Sequence, residues 1–181
     1  KLGDETEVKQ GLTTANNVRF LRYWWESNLE ELFISKSFTY SFDAKKKRWV
    51  PYVKGAADKR WFEPLAEILN WLNNGLENKV LHEWIHGSHS KRVQNEAYYF
   101  RSGISYSTIG ANFSARTRIY SSVLDVSGAS VFPKNIENTL CLLNSLSSIH
   151  ILSALNPTIN FQPRDVKRLP LQRIDGSNIV F

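Results

Sequence analysis

Hydrophobic residues recur along this chain with two different periods, which predict helices and strands in no fixed alternation. Helical spacing predicts helices over residues 18–25, 61–73, 133–147 and 149–155. Alternating or aromatic-rich runs predict strands over residues 38–42, 49–53, 98–104, 117–121, 130–132 and 159–161. Asn16 or Asn17 is a candidate cap for the first helix, Asn73-Asn74-Gly75 a candidate stop for the second, and Pro51 suggests an edge strand. The pattern predicts an α+β fold, a mixed and twisted β-sheet with flanking helices.

Length and composition indicate one globular domain. The chain has 181 residues, 42% of them hydrophobic, and a mean hydropathy of −0.35, and it shows no internal repeat or low-complexity linker. No apolar run approaches the ~18 residues of a membrane span, and the polar, acidic start is unlike a signal peptide. Cys141 is predicted to be a buried core residue in a reducing, cytoplasmic setting. Because the chain has no methionine, residues 1–181 are expected to be a piece of a longer polypeptide.

The net charge of +6 is concentrated in the middle of the chain. Residues 41–120 contain 13 basic and 7 acidic residues, whereas residues 1–40 contain 5 and 6 and residues 121–181 contain 5 and 4. In this middle part, lysines and arginines are interleaved with aromatic residues, most clearly around Lys47-Arg48-Trp49, Lys54 and Arg60-Trp61, and Arg116 and Arg118 follow further along. Such a distribution indicates a polyanion partner, because lysine and arginine neutralise phosphates. A solvated basic face is the alternative.

The segment Tyr98–Ser107 combines four aromatic residues, one arginine, one glycine and three serines. Its residues up to Ile104 favour a strand, and Gly103 permits a turn or a close approach to a ligand. Arg101, Ser105 and Ser107 could then contact phosphate oxygens at one edge of a sheet.

His82-Glu83-Trp84-Ile85-His86 matches the H-E-x-x-H pattern of zinc proteases. In that pattern two histidines one helical turn apart ligate zinc and the glutamate activates water. Gly87 would cut the helix short, and the third histidine of the longer form of the motif is absent. A zinc-dependent hydrolase is therefore the alternative hypothesis, with histidines in a loop or in solvent as the other interpretation.

Other catalytic signatures are missing from the sequence. It contains no dinucleotide-binding glycine motif, no P-loop and no nucleophile elbow. Asn156-Pro157-Thr158-Ile159 lacks the second proline and the aromatic residue of the adenine methyltransferase motif, and is better explained as an Asn-Pro turn. We therefore expect no catalytic residue in this piece. A protein-interaction module with tryptophans facing a partner is a third hypothesis.

Motifs in a fixed order resemble large adenine-specific DNA methyltransferases of the phage-exclusion (BREX, PglX-like) type and fused type II restriction-modification enzymes. The matching segments are Gly11-Leu12-Thr13-Thr14-x-x-Asn17-x-Arg19-Phe20-Leu21-Arg22-x-Trp24, Trp49-Val50-Pro51-Tyr52-x-Lys54-Gly55, Arg60-Trp61-Phe62, Asn70-Trp71-x-Asn73-x-Gly75, Phe100-Arg101-x-Gly103-Ile104-Ser105-Tyr106-Ser107, Leu155-Asn156-Pro157-Thr158-Ile159-Asn160-Phe161-Gln162 and Asp165-Val166-x-x-Leu169-Pro170. Ala15 stands where these relatives usually have glycine. Residues 76–93 have no counterpart and are predicted to be a reading loop.

The resemblance implies a target-recognition domain that follows the catalytic domain of the same chain and docks on double-stranded DNA. It implies no cofactor in this piece, S-adenosylmethionine in the parent enzyme, and a role for the parent in restriction-modification or phage defence. The candidate DNA-binding residues are Thr13, Asn17, Lys47, Arg48, Lys54, Arg60, Arg101, Ser105, Ser107 and Arg116. Because elements shared by relatives are expected to support the fold or the phosphate backbone, Arg101 is assigned to phosphate rather than to a guanine edge.

Overall fold

The computed structural model describes residues 1–38 and 46–171. Within these ranges the helices are α1 (Leu2–Glu5), α2 (Asn17–Phe20), α3 (Leu72–His86), α4 (Ile136–Leu143), α5 (Leu146–Leu155) and α6 (Pro163–Val166). The strands are β1 (Glu7–Lys9), β2 (Leu21–Tyr23), β3 (Trp49–Val53), β4 (Glu67–Asn70), β5 (Ile104–Tyr106), β6 (Ala115–Thr117), β7 (Val123–Leu124) and β8 (Ser130–Phe132). The predicted α+β class is confirmed. The strand predicted over residues 38–42 lies, beyond Phe38, outside the described residues.

The first sheet is antiparallel, with strand order β1-β8-β5-β6. Side chains alternate between the two faces of a strand, so Ile104 and Tyr106 of β5 point into an apolar core with α4, α5 and α6. Ser105, between them, points to the opposite face, where its hydroxyl lies 2.8 Å from that of Ser130 on β8. At Ser105, Ser130 and Arg116 the face turned away from the helices therefore carries polar side chains that are buried.

The second sheet has the order β2-β4-β3-β7, with β3 and β7 parallel and the other pairs antiparallel. Strand β3 was predicted to be an edge strand because of Pro51, and this was wrong, since β3 lies between β4 and β7. On its β7 side the pairing is interrupted: Leu32 bridges Trp49, and β7 pairs only from Tyr52 onward. Pro51 falls in that gap, where a missing N–H removes no ladder bond.

The helix predicted over residues 61–73 is replaced by β4, and this is the largest error in the sequence interpretation. Ile68, Leu69 and Asn70 are buried because β2 and β3 flank β4 on both sides. A short apolar run buried in this way cannot be distinguished from a buried helix by its period. Asn73, Asn74 and Gly75 all have left-handed φ values of 54°, 58° and 70°, so this turn precedes the regular part of α3 instead of ending a helix. The reading loop predicted over residues 76–93 is largely that helix.

Several local predictions are confirmed and others shift. Asn16 caps α2 by accepting a hydrogen bond from the Arg19 backbone, although the helix ends at Phe20 and the chain continues as β2. The C-terminal helix pair is present as α4 and α5, and β8 has the predicted bounds. The strand predicted up to Ile104 instead begins there. Cys141 was predicted to be buried but is exposed on α4.

None of the helices in the described residues is long and apolar enough by itself to cross a membrane. Helices α4 and α5 reach the necessary length and hydropathy only together, across a bend of 61°.

Candidate nucleic-acid interface

The two sheets meet where the end of β3 approaches β6, and we call the surroundings of Lys54, Arg116 and Arg118 the sheet junction. Arg116 is almost fully buried, and its guanidinium forms an ion pair with Glu63 and donates through Nη2 to the Lys54 carbonyl oxygen. Burial lowers the pKa of Arg116, and the Glu63 carboxylate opposes that shift. Arg116 thus fixes the backbone at the position that presents the Lys54 side chain.

Arg118 repeats this arrangement two residues later, on the same face of the chain. It is buried, its Nη2 donates to the Arg101 carbonyl oxygen, and its guanidinium lies 5.1 Å from the centre of the Phe132 ring. It has no ion pair within residues 1–38 and 46–171. Burial lowers the pKa of Arg118 to about 9, so the side chain remains a cation at neutral pH.

Gly103 explains how Arg118 fits against β5. A side-chain carbon at Gly103 would lie 2.6 Å from the Val131 carbonyl oxygen and 3.0 Å from Arg118 Nη2. Real Cβ atoms do not show the first of these contacts, so glycine is needed here for the close approach of the β8 backbone. The glycine of the Tyr98–Ser107 segment therefore serves the packing of β5 against β8, and it also leaves room for Arg118.

The loop Gly11–Asn17 is held against α3, and we call this contact the loop–helix clamp. His82 Nε2 lies 2.6 Å from the Thr13 carbonyl oxygen, and Asn78 Nδ2 donates to the Thr14 carbonyl oxygen at 2.9 Å. Both side chains are fully buried. The Thr14 hydroxyl in turn donates to Asn17 Oδ1. The loop is thus held both by hydrogen bonds from α3 and by one within the loop itself.

The H-E-x-x-H residues are used in this clamp and its surroundings. The rings of His82 and His86 stack with centres 5.6 Å apart, but His82 Nε2 is occupied by the loop. Glu83 accepts hydrogen bonds from the His89 backbone N–H at 2.8 Å and pairs with His89 Nδ1 at 2.9 Å, which lowers the pKa of Glu83. In the described part of the chain no three His, Cys, Asp or Glu side chains are grouped to hold a metal ion.

Three of the predicted DNA-binding cations are exposed and have no carboxylate partner among the described residues: Arg48, Arg60 and Arg101. Arg48 lies 5.4 Å from the centre of the Trp49 ring, and Arg101 lies 5.1 Å from that of Tyr98. Arg60 immediately precedes Trp61, which extends the first sheet by a bridge to Arg116. These three side chains are free to meet an external anion.

The other predicted residues near the surface already have partners. Lys47 donates to the Glu30 carbonyl oxygen, and Lys54 pairs with Glu67 at 3.1 Å. Thr13 is half-buried beneath α3, and Asn17 is exposed but accepts from Thr14. These side chains contribute less uncompensated charge to the surface than their residue types suggest.

Ser105, Ser107 and Arg116 are buried. The sequence analysis placed Ser105 and Ser107 at one edge of a sheet, whereas the face on which Ser105 and Arg116 lie is covered at the sheet junction. In this conformation their hydroxyl and guanidinium groups are turned to the junction and not to the surface. The sequence analysis placed Arg116 in the basic set, but the burial of its side chain is not evident from the sequence.

The sequence interpretation missed two features of the site. Arg118 belonged to the basic set with Arg116 but was not listed among the DNA-binding residues, although its spacing of two from Arg116 places both on one face of a strand. Tyr23 and Trp25 were assigned to a helix, but their exposed rings stack with centres 4.7 Å apart. The neighbouring Arg22 lies, like Arg48, within 6 Å of the centre of the Trp49 ring.

Two curated proteins are similar to nearly the whole chain. Adenine-specific methyltransferase PglX of Lacticaseibacillus casei (strain Zhang) is 31% identical over 185 residues, covering 99% of this chain and 15% of that protein. Adenine-specific methyltransferase BrxX of Escherichia coli O9:H4 (strain HS) is 28% identical over 176 residues, covering 92% of this chain and 13% of that protein. No protein-family model matches the chain. The predicted resemblance is thereby confirmed: the chain is a homologue of one segment of the large PglX- and BrxX-type adenine-specific methyltransferases.

Proposed function

We propose that this chain is a single domain that recognises double-stranded DNA for an adenine-specific methyltransferase of a phage-defence or restriction-modification system. The observation that carries the proposal is the set of exposed arginines without carboxylate partners, on a chain whose homologues are adenine-specific methyltransferases. The parent would act in the cytoplasm, supply the catalytic domain and bind S-adenosylmethionine there. The chain itself would recognise DNA and contribute no catalytic residue.

Charge compensation decides which cations contribute to DNA affinity. A cation gains affinity for DNA by replacing counterions at a phosphate, and a cation already paired with a carboxylate gains less. Arg48, Arg60 and Arg101 therefore replace the longer list of candidates as the main phosphate ligands. Lys54, paired with Glu67, is a secondary one.

The geometry spreads these arginines over a surface of useful length. Arg48 precedes β3 and Lys54 follows it, and five residues of strand span about 17 Å. Arg60 follows the Lys54 end and lies beside β6, whereas Arg101 precedes β5 and follows Phe100, which bonds to Ser122 just before β7. A surface of this length can contact several phosphates of one duplex, since successive phosphates on a strand are about 3.4 Å apart along the axis.

The zinc-hydrolase alternative gains no support from the geometry. Glu83 faces His89, and His82 is buried in the clamp. The arrangement is instead that of a helix that shapes the Gly11–Asn17 loop, whose tip is exposed at Ala15 and Asn16. We assign this loop to DNA positioning.

The test is a duplex-DNA binding titration over a range of salt concentrations. A variant with Arg48, Arg60 and Arg101 changed to alanine should bind DNA less tightly and show a salt slope smaller by about 2–3, since each lost phosphate contact reduces the slope by about 0.9. The matched control changes three exposed cations outside the proposed set, Lys1, Arg164 and Arg168 around α1 and α6, to alanine. Equal losses in the two variants, or no salt-dependent binding by the wild type, would contradict the proposal.

A further inference from the structure

The sheet junction borders a partly open cavity of about 270 Å³. Its lining includes Lys54, Glu63, Glu67, Arg116, Arg118 and Ser122. These residues come from both sheets and from the segments that join them, so the cavity is formed by the packing of the whole fold. Its volume corresponds to roughly nine waters at about 30 Å³ each, which is enough for a small tetrahedral ion.

Four buried polar atoms of the lining residues have no hydrogen-bond partner: Arg116 Nη1, Arg118 Nε, Arg118 Nη1 and Ser122 Oγ. The three residues are at least nine-tenths buried, with relative exposures of 1%, 5% and 1%. A buried donor without an acceptor costs about 1–3 kcal/mol. All four atoms belong to residues that line one cavity, so an acceptor at that place would lie next to several unpaired donors.

The charges of the lining residues do not balance. Glu63 pairs with Arg116 and Glu67 pairs with Lys54, which leaves the Arg118 cation without a carboxylate in the described residues. An isolated charge in the interior is strongly unfavourable unless it is paired. The missing partner is thus a species with negative charge and several acceptor atoms.

We propose that this cavity binds a phosphate-type oxyanion through Arg118, with Arg116 and Ser122 as further donors. Guanidinium N–H groups form charge-assisted hydrogen bonds with phosphate oxygens, and Arg118 keeps Nε and Nη1, on two different edges of its guanidinium, without a partner. The Phe132 ring covers part of the guanidinium and the Arg101 carbonyl holds its Nη2, so the remaining donors are oriented before the ion arrives. The site does not depend on the proposed DNA recognition.

The test measures the thermal unfolding of the chain in sodium phosphate against sodium chloride at equal ionic strength and pH. At phosphate 100 times above its Kd, the wild type should unfold roughly 5–10 °C higher than in chloride. Arg118→Met should lose this difference, and Ser122→Ala should weaken the apparent affinity about tenfold by removing one charge-assisted hydrogen bond. Arg168→Met removes one exposed cation elsewhere and should behave as the wild type.

A saturable phosphate effect that is equal in wild type and Arg118→Met would overturn the proposal, as would the absence of any phosphate effect in the wild type. If Arg118→Met does not fold, the Ser122→Ala titration decides, because that change leaves the charge and the packing nearly intact. An unchanged phosphate affinity in Ser122→Ala then stands against the site.

The source of the oxyanion is resolved by adding labelled duplex DNA. If a DNA phosphate enters the cavity, Arg118→Met weakens DNA binding and phosphate competes with DNA at constant ionic strength. If the ligand is a free anion, DNA and phosphate bind together and Arg118→Met leaves DNA affinity unchanged. Loss of the phosphate effect alone counts against this site, whereas equal DNA binding by the Arg48/Arg60/Arg101 and control variants counts against the proposed function.

Discussion

The sheet junction and the loop–helix clamp hold candidate DNA-contacting segments by the same means but with different charge. In each region, two buried side chains bond to backbone carbonyl oxygens: Arg116 and Arg118 to those of Lys54 and Arg101, His82 and Asn78 to those of Thr13 and Thr14. The junction does this with cations and the clamp with uncharged groups. The segments that face outward are thus positioned by residues that do not themselves reach the surface.

The difference in charge has two consequences. A guanidinium has five donors, so each junction arginine keeps unpaired donors after binding a carbonyl, and both arginines line the cavity. An imidazole has two nitrogens and titrates near neutral pH, so the clamp responds to acid instead. Stability should therefore depend on anions at the junction and on pH at the clamp.

The largest expected effect is at the junction. Glu63→Gln removes the charge that balances buried Arg116 and should lower the free energy of unfolding by about 3 kcal/mol. This value is near the low end for breaking a buried ion pair because the Glu63 side chain is partly exposed. Urea denaturation measures it. Glu67→Gln, which breaks the more exposed pair with Lys54, is the matched control and should cost less than about 1 kcal/mol. Similar losses of unfolding free energy in both variants would contradict a larger contribution of the Arg116–Glu63 pair to stability.

The clamp should be weaker but still substantial. Asn78→Ala leaves the Thr14 carbonyl without its partner and should lower the free energy of unfolding by about 1–2 kcal/mol. It should also loosen the Gly11–Asn17 loop, which faster amide hydrogen exchange at residues 13–17 would report. Asn74→Ala, at a neighbouring exposed position, tests the left-handed turn instead and should leave exchange in the loop unchanged. Unchanged exchange in Asn78→Ala would argue against the clamp.

The sequence already showed which segments matter but not how they pack. The motifs around Thr13, Lys54 and Arg101 all lie at carbonyls held by buried side chains, and their order along the chain was visible. Which arginines are buried was not visible, because burial of Arg116 and Arg118 requires β6 to lie under a second sheet brought in by β3. The same long-range pairing turned residues 67–70 into a strand despite their helical spacing.

A pH experiment separates the two regions further. Desolvation lowers the pKa of His82 below its ordinary 6.5, against the opposing effect of the hydrogen bond to Thr13. Below about pH 6.5 the unfolded state then binds more protons than the folded state, so the free energy of unfolding falls as pH decreases until the lower folded-state pKa is passed. Denaturation at pH 7.5 and 5.5 should show this fall in the wild type and a smaller one in His82→Asn. His150→Asn, at an exposed position on α5, should retain it.

The smallest effect on stability is expected at the exposed rim. Arg101→Ala keeps the carbonyl that Arg118 uses and removes only an exposed side chain, so the free energy of unfolding should change by less than about 0.5 kcal/mol. The salt slope for DNA binding should nevertheless decrease by about 0.9. A large loss of stability would show that the Arg101 side chain supports the junction. An unchanged salt slope would show that this side chain does not contact a DNA phosphate.

The central claim, that this chain recognises the DNA target, is tested most directly by exchanging the segment. The matching segment of the Lacticaseibacillus casei adenine-specific methyltransferase PglX is replaced by this chain, and the adenines modified in cells are located by sequencing. The active chimaera should modify adenine in a different sequence context from the unaltered enzyme, and the Arg48/Arg60/Arg101 alanine variant of the chimaera should modify the same sites less completely. An active chimaera that keeps the original sequence context would contradict the claim.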